Sequence, residues 1–390
     1  MRIAYTDEQE QLRDELRAYF AELMTPEVEA ALSNGEWGGG PSRELAQRMG
    51  RDGWLGVGWP KEYGGQGRSA VEQFIFFDEA QRAGAPVPFL TINTVGPTLM
   101  RFGSDAQKAA FLPRILRGEV HFSIGYSEPN AGTDLASLRT SAAFDGDEWV
   151  INGSKLWTSL AQDADYIWLA ARTDPEAPKH KGISIFIVPT SSPGFRCNPI
   201  EIISDGATNA TFYKDVRVPH DALVGEVNRG WSLITNQLNL ERVALCAPGG
   251  VQRHYEDVRA WARETRLVDG RRVIDQEWAR VHLARVHAGL EFLTLINWKS
   301  AWSLTHGRID PADASTVKVF GTEFFTEAYR LLLEVMGPAG ALKRGSPEAV
   351  LRGRVERAYR GTLILTFGGG TNEVQRDLIS SFGLGMQVRR

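Results

Sequence analysis

The chain has 390 residues, of which 43% are hydrophobic and 24% charged, and its formal net charge is −4 at pH 7. This is the composition of a globular protein large enough for two or three domains, and its slight negative charge argues against nucleic acid as the main partner. The polar N-terminus carries no secretion signal, and no apolar run reaches the roughly 18 residues of a membrane span. Cys197 and Cys246 lie far apart without metal-ligand spacing, so we expect reduced cysteines in a cytoplasmic protein without a metal site.

The first part of the chain, residues 1–120, is predicted to be an α-helical domain. Thr6 is a candidate helix cap, because a side-chain oxygen at that place can accept from a free backbone N–H of the first turn. The apolar residues that follow it at helical spacing are Leu12, Leu16, Phe20 and Leu23. A glycine-rich loop at 53–67 then interrupts the helical pattern.

Residues 121–232 are predicted to form a β domain, either a barrel or a sandwich. They are rich in β-branched and aromatic residues in short runs separated by turn signals. The segment "FDGDEWVINGSKLW", residues 144–157, is interpreted as a hairpin with Asp-Gly and Asn-Gly turn signals. No alternation of strands and helices is visible, which argues against a Rossmann fold.

Helical periodicity returns in residues 233–390, where long amphipathic stretches with few breaks predict a four-helix bundle. The order of the chain is therefore helical, β, helical. We predict an α+β fold class with three domains.

Several motifs, in this order, resemble the acyl-CoA dehydrogenase family. They are "YSEPNAGTDLASLRT" (126–140), "INGSKLWTSLAQDADYIWLAART" (151–173) and, less closely, "LRGRVERAYRGTLILTFGGGTNEVQR" (351–376). The chain is most similar to the actinobacterial members that act on the CoA thioester of a degraded sterol side chain, which work as two different subunits. The resemblance implies an FAD-dependent enzyme in which a base removes the α-proton and the β-hydrogen leaves as hydride to flavin N5. It also implies electron-transfer flavoprotein as the electron acceptor.

The resemblance assigns the flavin-ring half of the site to two segments. In the first, Tyr126, Ser127, Gly132 and Thr133 match positions beside the flavin, and Thr133 is also a predicted substrate contact. The alternative for this segment is a plain turn. In the second segment, Trp157 matches an aromatic ring against the flavin face and Ser159 a hydroxyl near N5; the alternative for Trp157 is core packing.

The glycine-rich C-terminal loop lacks a carboxylate that could act as the catalytic base. Many members of the family carry a glutamate there, and alignment back from "EVQR" puts Gly369 at its place. A minority carry the glutamate earlier, directly before an arginine, and "NQLNLERVALCAP" offers Glu241 before Arg242. Apolar neighbours raise the pKa of a carboxylate toward what a general base needs. We predict Glu241 as the base, with a structural ion pair as its alternative.

Three further predictions concern contacts of the ligands. Arg242 and Asn239, on the same segment as Glu241, are predicted to contact the substrate, although Arg242 could equally form a structural ion pair. Thr371, which follows the glycines, is predicted to contact the flavin and to cap the next helix.

In the family, each subunit contributes residues to the flavin site of a neighbouring subunit. This contribution looks incomplete in this chain. Where the family has an Arg-x-x-Phe-Gly segment for the ADP part of the flavin, Arg263 is present but Arg266 replaces the phenylalanine. Glu334 replaces the expected glutamine and Pro338 enters the turn after it, so a carboxylate would face a pyrophosphate. We therefore predict a heterotetramer with a different acyl-CoA dehydrogenase-like subunit that supplies the ADP-binding elements.

Three other functions remain open at this point. The vacant Gly369 position also fits a non-catalytic FAD- or CoA-binding or scaffold subunit of such a complex. A flavin oxidase could use the same fold. Finally, the apolar run, "GGGT" and the helix that follows resemble a phosphate-binding strand–loop–helix, but no βαβ unit surrounds them and no lysine follows the glycines.

Overall fold

The computed structural model describes residues 3–33, 38–307 and 310–386; the side chains of residues 33 and 238–245 lie outside this description. The chain divides into two compact units. The first unit combines Met1–Thr25, Ser69–Ala85 and Arg242–Arg390, and the second combines Pro26–Arg68 and Pro86–Glu241. The predicted division into three consecutive domains stays a prediction.

The α-helices of the described residues are, in chain order, α1 (Asp7–Leu23), α2 (Pro26–Ser33), α3 (Gly39–Arg51), α4 (Ala70–Ala83), α5 (Gly96–Phe102), α6 (Asp105–Leu116), α7 (Gly230–Leu245), α8 (Gly249–Glu264), α9 (Glu277–Thr305), α10 (Pro311–Met336), α11 (Arg354–Thr362) and α12 (Asn372–Leu378). The strands are β1 (Phe122–Gly125), β2 (Ser141–Asp145), β3 (Glu148–Leu156), β4 (Tyr166–Arg172), β5 (Ile183–Pro189), β6 (Phe195–Ile202), β7 (Gly206–Pro219) and β8 (Leu223–Val224). None of the helices in the described residues combines the length and the apolar character that crossing a bilayer requires.

The first unit is helical. Thr6 caps α1 as predicted, because its side chain accepts from the N–H of Gln9 and the Gln9 side chain accepts from the N–H of Thr6. The four apolar residues predicted for this helix are all buried. Helix α10 contacts α8, α9, α11 and α12, and its apolar side chains supply much of the core that these helices share. Burial of this apolar surface is the main term that stabilises the unit.

One face of α9 remains exposed along its whole length. The exposed positions follow each other at alternating steps of three and four residues, and we call them the α9 stripe: Trp278, Val281, Arg285, Ala288, Phe292, Leu295, Lys299 and Trp302. Six of these eight residues are apolar, the exceptions being Arg285 and Lys299, and apolar residues at this spacing are the pattern by which one helix packs against another. Most of the opposite face of α9 is buried in the core of the unit.

The second unit contains the predicted β domain as one mixed sheet of eight strands. The strand order is β6-β7-β3-β2-β4-β5-β8, and β1 pairs with β4 in parallel. Strands β4 and β5 are continuous apolar runs that are buried along almost their whole length, and they form the centre of the hydrophobic core.

The predicted hairpin is present but has one turn, not two. Strands β2 and β3 pair in antiparallel fashion, and Gly146 at the connection has a left-handed φ of 72°. The second turn signal was misleading, because Asn152 and Gly153 lie inside β3, where the pairing with β7 shifts register. The long ladder between β3 and β7 continues on both sides of this irregularity and overrides the local turn preference.

Candidate active site

The segment after β3 has an unusual backbone. Trp157 has a φ of 65° and Leu160 a φ of 61°, although neither is glycine. A bulky residue in the left-handed region costs roughly 1–3 kcal/mol and persists only where its surroundings hold it. The indole of Trp157 nevertheless remains 56% exposed, so burial in the core does not compensate for this cost. The predicted alternative, that Trp157 packs in the core, does not fit this exposure.

The ladder of β3 and β7 explains how the segment is held. Leu156 is the last regular partner of β3 and lies opposite Ala210. The next hydrogen bond runs from the N–H of Thr158, not of Trp157, to the C=O of Asn209 (3.0 Å). Trp157 is therefore pushed out of the ladder. Thr158 is buried, whereas Trp157 and Ser159 are exposed on either side of it.

The predicted turn at 126–133 lies beside the end of the same strand. The N–H of Leu156 donates to the C=O of Ser127 (2.8 Å), which joins the two predicted flavin segments within this unit. Gly132 and Thr133 are exposed, and a Cβ added at Gly132 would meet no atom within 4 Å. The backbone of this turn can thus be approached closely by a ligand.

The Tyr126 side chain points into the protein, not toward the surface. Its hydroxyl accepts from Nε1 of Trp168 (3.1 Å) and donates to Oε1 of Gln237 on α7. Any contact of Tyr126 with a ligand must therefore involve its backbone. The Nε2 atom of Gln237 is buried and has no hydrogen-bond partner within the part of the chain that the structure describes.

A buried lysine that sequence reasoning missed supports this turn. Lys155 is fully buried, and its Nζ donates to the C=O of Tyr126 (3.0 Å) and to Oε1 of Glu128 (2.8 Å). The Glu128 carboxylate also accepts from the backbone N–H groups of Arg139 (2.7 Å) and Thr140 (2.8 Å). These bonds fix the first residues of the turn. The signal for Lys155 in the sequence was its place in the two-residue alternation of β3, at a position whose side chain points inward.

The electrostatics of this pair reflect its burial. Burial lowers the pKa of Lys155 to about 8, even though the neighbouring Glu128 carboxylate favours the charged form. Burial also tends to raise the pKa of Glu128, but the Lys155 ammonium and the hydrogen bonds from Thr140 outweigh it and hold that pKa below its usual range. Glu128 and Lys155 therefore form a charged pair at neutral pH.

Three of the predicted site residues cannot be located in detail. Glu241, Asn239 and Arg242 belong to helix α7, but their side chains lie outside the described residues. Their roles stay predictions from the sequence.

The glycine-rich loop lies in the first unit. Leu363–Thr366 form a 3-10 helix, so the strand of a phosphate-binding strand–loop–helix is missing and that alternative is excluded. Gly369 and Gly370 have left-handed φ angles of 68° and 88°, which glycine adopts without strain. Thr371 caps α12 as predicted, because its Oγ1 accepts from the N–H of Val374 (3.3 Å).

A second buried lysine holds this loop. Lys318 on α10 is fully buried, and its Nζ donates to the C=O groups of Thr366 (3.1 Å) and Gly370 (2.7 Å) and to Oδ1 of Asn372 (2.7 Å). The ammonium therefore ties the two ends of the loop to one point on α10. Sequence reasoning missed Lys318 too, although it lies on the buried face of α10.

The carboxylate of Glu334, which replaces the expected glutamine, is engaged by two basic side chains. Arg330 donates to its Oε1, and Nε2 of His282 lies 2.7 Å from its Oε2. Arg263 and Arg266 are exposed, and Arg266 donates to the C=O of Gly270 (2.7 Å). The part that Arg263 would play in binding the ADP half of the flavin stays a prediction.

The residues at the end of β3 and in the turn beside it fit a flavin. An exposed indole on a strained backbone offers a flat aromatic surface, and the small residues beside it leave room for close approach. The buried Nε2 of Gln237, for which the described residues offer no hydrogen-bond partner, is a further polar atom near the same turn. An exposed aromatic ring beside an open turn is the arrangement that the predicted flavin contacts require.

Comparison with known proteins identifies the family. Three family models match the chain: the acyl-CoA dehydrogenase N-terminal domain at residues 6–119, the middle domain at 123–215 and the C-terminal domain at 228–384. The chain belongs to the acyl-CoA dehydrogenase family, so it is an FAD-dependent oxidoreductase that acts on a CH–CH bond. This confirms the predicted family, fold class, enzyme class and cofactor.

Two kinds of relatives are highly similar over the full length. The acyl-CoA dehydrogenase FadE26 of Mycobacterium tuberculosis (strain ATCC 25618 / H37Rv) is 60% identical over 395 residues, which cover 99% of each chain. Among solved structures, a chain of the ChsE4-ChsE5 complex from Mycobacterium tuberculosis has 60% identity and a TM-score of 0.94, with full coverage of both chains. A chain of the Tcur3481-Tcur3483 steroid ACAD has 51% identity and a TM-score of 0.94, again with full coverage.

Proposed function

We propose that this chain is the catalytic subunit of a heteromeric acyl-CoA dehydrogenase, with Glu241 as the base that removes the α-proton. The observation that carries the proposal is Gly369. The loop position at which many family members have a glutamate holds a glycine with a φ of 68°, so no carboxylate can act from there. Glu241 on α7 is the carboxylate that the family pattern offers instead.

The other proposed roles concern the flavin. The bound flavin would supply the acceptor for the β-hydrogen of the substrate, which would leave as hydride. The exposed indole of Trp157 would cover the flavin ring and keep water from it, and backbone groups of Ser127 and Thr133 would hold the polar edge of the flavin. Exclusion of water strengthens each remaining hydrogen bond in the site. Thr371 is a further flavin contact.

The substrate that we propose is a bulky CoA thioester, a steroid side-chain ester. Support comes from the relatives: one solved structure at 51% identity is described as a steroid ACAD. The glycines at 368–370 carry no side chains and leave room for a ring-bearing acyl group. Thr133, Asn239 and Arg242 are the proposed substrate contacts, and electron-transfer flavoprotein is the proposed electron acceptor.

The proposed partner is a different acyl-CoA dehydrogenase-like subunit in a heterotetramer. Both highly similar solved structures are described as pairs of differently named proteins. The α9 stripe supports the proposal, because an exposed apolar seam of this kind is buried when a second helix packs on it. Glu334 supports it too: the carboxylate pairs with Arg330 and His282 within the chain and is unsuited to a pyrophosphate. The partner would supply the ADP-binding elements.

The test of the base compares two carboxylates. In the reconstituted complex, Glu241→Gln should slow anaerobic flavin reduction by substrate by about 10²–10⁴-fold, the usual contribution of a general base. Glu373→Gln is the matched control, since Glu373 is an exposed carboxylate just beyond the glycine loop. Unchanged reduction by the Glu241 variant would remove this residue from the mechanism and favour the second candidate, a non-catalytic binding or scaffold subunit.

The test of the partner measures flavin content. The chain expressed alone should hold little FAD, and the complex with the different subunit should hold one FAD per pair of chains. A yellow homo-oligomer with one FAD per chain would contradict the heteromeric proposal but leave the role of Glu241 untouched.

A further inference from the structure

We propose that Asn209, on strand β7, is a positioning residue that holds Trp157 in the backbone conformation from which its ring covers the flavin. The inference rests on the proposed role of Trp157. It concerns a residue about fifty positions further along the chain that no sequence motif of the site includes.

Asn209 binds the residue next to Trp157 in both directions. Its C=O accepts from the N–H of Thr158 (3.0 Å), and its Nδ2 donates to the C=O of the same residue (2.9 Å). Backbone and side chain of one asparagine thus satisfy both peptide groups of Thr158. Regular antiparallel pairing would set residue 157 opposite Asn209, so this clamp is what leaves Trp157 outside the ladder.

The clamp is itself fixed. Asn209 is completely buried. Its Nδ2 also donates to Oε1 of Gln162 (2.6 Å), and its Oδ1 accepts from Sγ of Cys197 (3.3 Å). All polar atoms of the side chain therefore have partners, and the amide can take only one orientation. A buried network of this kind is rigid.

Two other contacts hold the segment from the neighbouring strands. Ser123 Oγ on β1 donates to the C=O of Ser159 (2.7 Å). Thr158 Oγ1 lies 3.4 Å from Thr211 Oγ1, a longer contact. Asn209 alone makes two bonds to the residue that adjoins Trp157, so its loss should release the left-handed φ of Trp157. The ring would then no longer be held against a flavin.

The experiment uses the complex with its partner subunit and titrates the flavin-free form with FAD. We expect Asn209→Ala and the nearly isosteric Asn209→Asp, which replaces the donating NH₂ by an acceptor, to raise the dissociation constant of FAD about tenfold or more. The visible spectrum of the bound flavin should change as well. Thr208→Val is the matched control: Thr208 is the preceding buried residue of β7, and its hydroxyl has no partner among the described residues. This control should stay within twofold of wild type.

A double-variant cycle separates positioning from general stabilisation. If Asn209 acts through Trp157, Asn209→Asp should have no further effect on FAD binding in a Trp157→Ala background. Additive effects, or variants that lower the melting temperature while the FAD dissociation constant and the flavin spectrum stay within twofold, would overturn the inference. These measurements use no substrate, so failure of the Glu241 mechanism would not affect them. A wild-type complex that binds no FAD would overturn both.

Discussion

The two loops predicted to contact the flavin reach left-handed backbone conformations in opposite ways. In the first unit, the loop at 367–371 uses glycine at its left-handed positions, where no side chain resists the geometry. In the second unit, the segment after β3 forces a tryptophan into the same region and keeps its ring exposed. The glycine loop avoids strain, whereas the tryptophan segment stores it.

The two regions are alike in how they are fastened. Each has a fully buried lysine beside it: Lys318 donates to two carbonyls of the glycine loop, and Lys155 donates to the C=O of Tyr126 in the turn next to the tryptophan segment. A loop without strain still needs an anchor, because glycine leaves the chain many other conformations. In both regions, the backbone geometry and its rigidity are supplied by different residues.

The largest effect should come from the anchor of the tryptophan side. Lys155→Met leaves the mostly buried Glu128 carboxylate without its counter-charge, which should cost about 3–5 kcal/mol of the free energy of unfolding. Denaturant titration measures it, and Lys214→Met, an exposed lysine in the same sheet, is the control. Adding Glu128→Gln should recover part of the loss; no recovery would contradict the importance of the pair.

The same anchor predicts a pH dependence. The pKa of Lys155 is lowered to about 8 from 10.5, so between these values the folded state binds fewer protons than the unfolded state. Lys155 therefore makes the free energy of unfolding rise with pH between about 8 and 10.5. Below pH 8 the full energetic cost of burying its charge is present. The free energy of unfolding of wild type should therefore rise relative to that of Lys155→Met from about pH 7.5 to 10. A flat difference would argue against the lowered pKa.

Lys318, which holds the glycine loop, should contribute less to the free energy of unfolding than Lys155 and more to the local order of its loop. Lys318→Met removes three donated hydrogen bonds but also a buried charge, so we expect a net loss of roughly 2 kcal/mol. Hydrogen exchange should rise in residues 363–372 and stay unchanged in residues 126–134. Equal acceleration in both segments would mean that Lys318 is a general core residue, not a loop anchor.

The glycines themselves should tolerate side chains unequally. At Gly370 the φ is 88° and an added Cβ would lie 2.6 Å from Nε2 of Gln375, so Gly370→Ala should cost about 1–2 kcal/mol. Gly368 lacks a positive φ, and the nearest atom to its added Cβ is at 3.3 Å, so Gly368→Ala should cost less. Melting temperatures of both variants test the order; the reverse order would contradict the assigned conformations.

The smallest effect has the opposite sign. Trp157→Gly removes the left-handed strain and should raise the free energy of unfolding of the flavin-free complex by about 0.5–1 kcal/mol, while weakening FAD binding. Trp157→Phe keeps both the strain and an aromatic ring, so its stability should match wild type. If glycine destabilised the flavin-free complex, the strain assigned to this segment would be wrong.

Much of the fold could be predicted because its patterns are local. The cap of α1, its four buried residues and the β2–β3 hairpin each depend on residues within a few positions of one another. Asn152–Gly153 was misread as a turn because the ladder with β7, whose partners lie about sixty residues away, decides that region. Local turn preference carries no information about such a ladder.

The features of the candidate site likewise divide into those that local motifs predict and those that only the folded sheet determines. Family motifs pointed to Trp157 and Thr371. The structure confirms the helix cap at Thr371 and shows that Trp157 is exposed, while the flavin contacts of both residues stay predictions. The left-handed conformation of Trp157 could not be predicted, because sequence rules assign that region to glycine and asparagine. It is imposed by Asn209, which reaches it only through the folded sheet.

The α9 stripe has a consequence for the shape of the assembly. A repeat of three and four residues averages 3.5 per turn, whereas a straight helix has 3.6, so the stripe drifts around α9 by about 20° per heptad. A helix that follows the stripe over its roughly 36 Å must therefore wind around α9 with a left-handed crossing of about 20°. If the proposed partner chain packs on this stripe, it needs a complementary seven-residue repeat on an exposed helix. That repeat should be readable in its sequence before any complex is made.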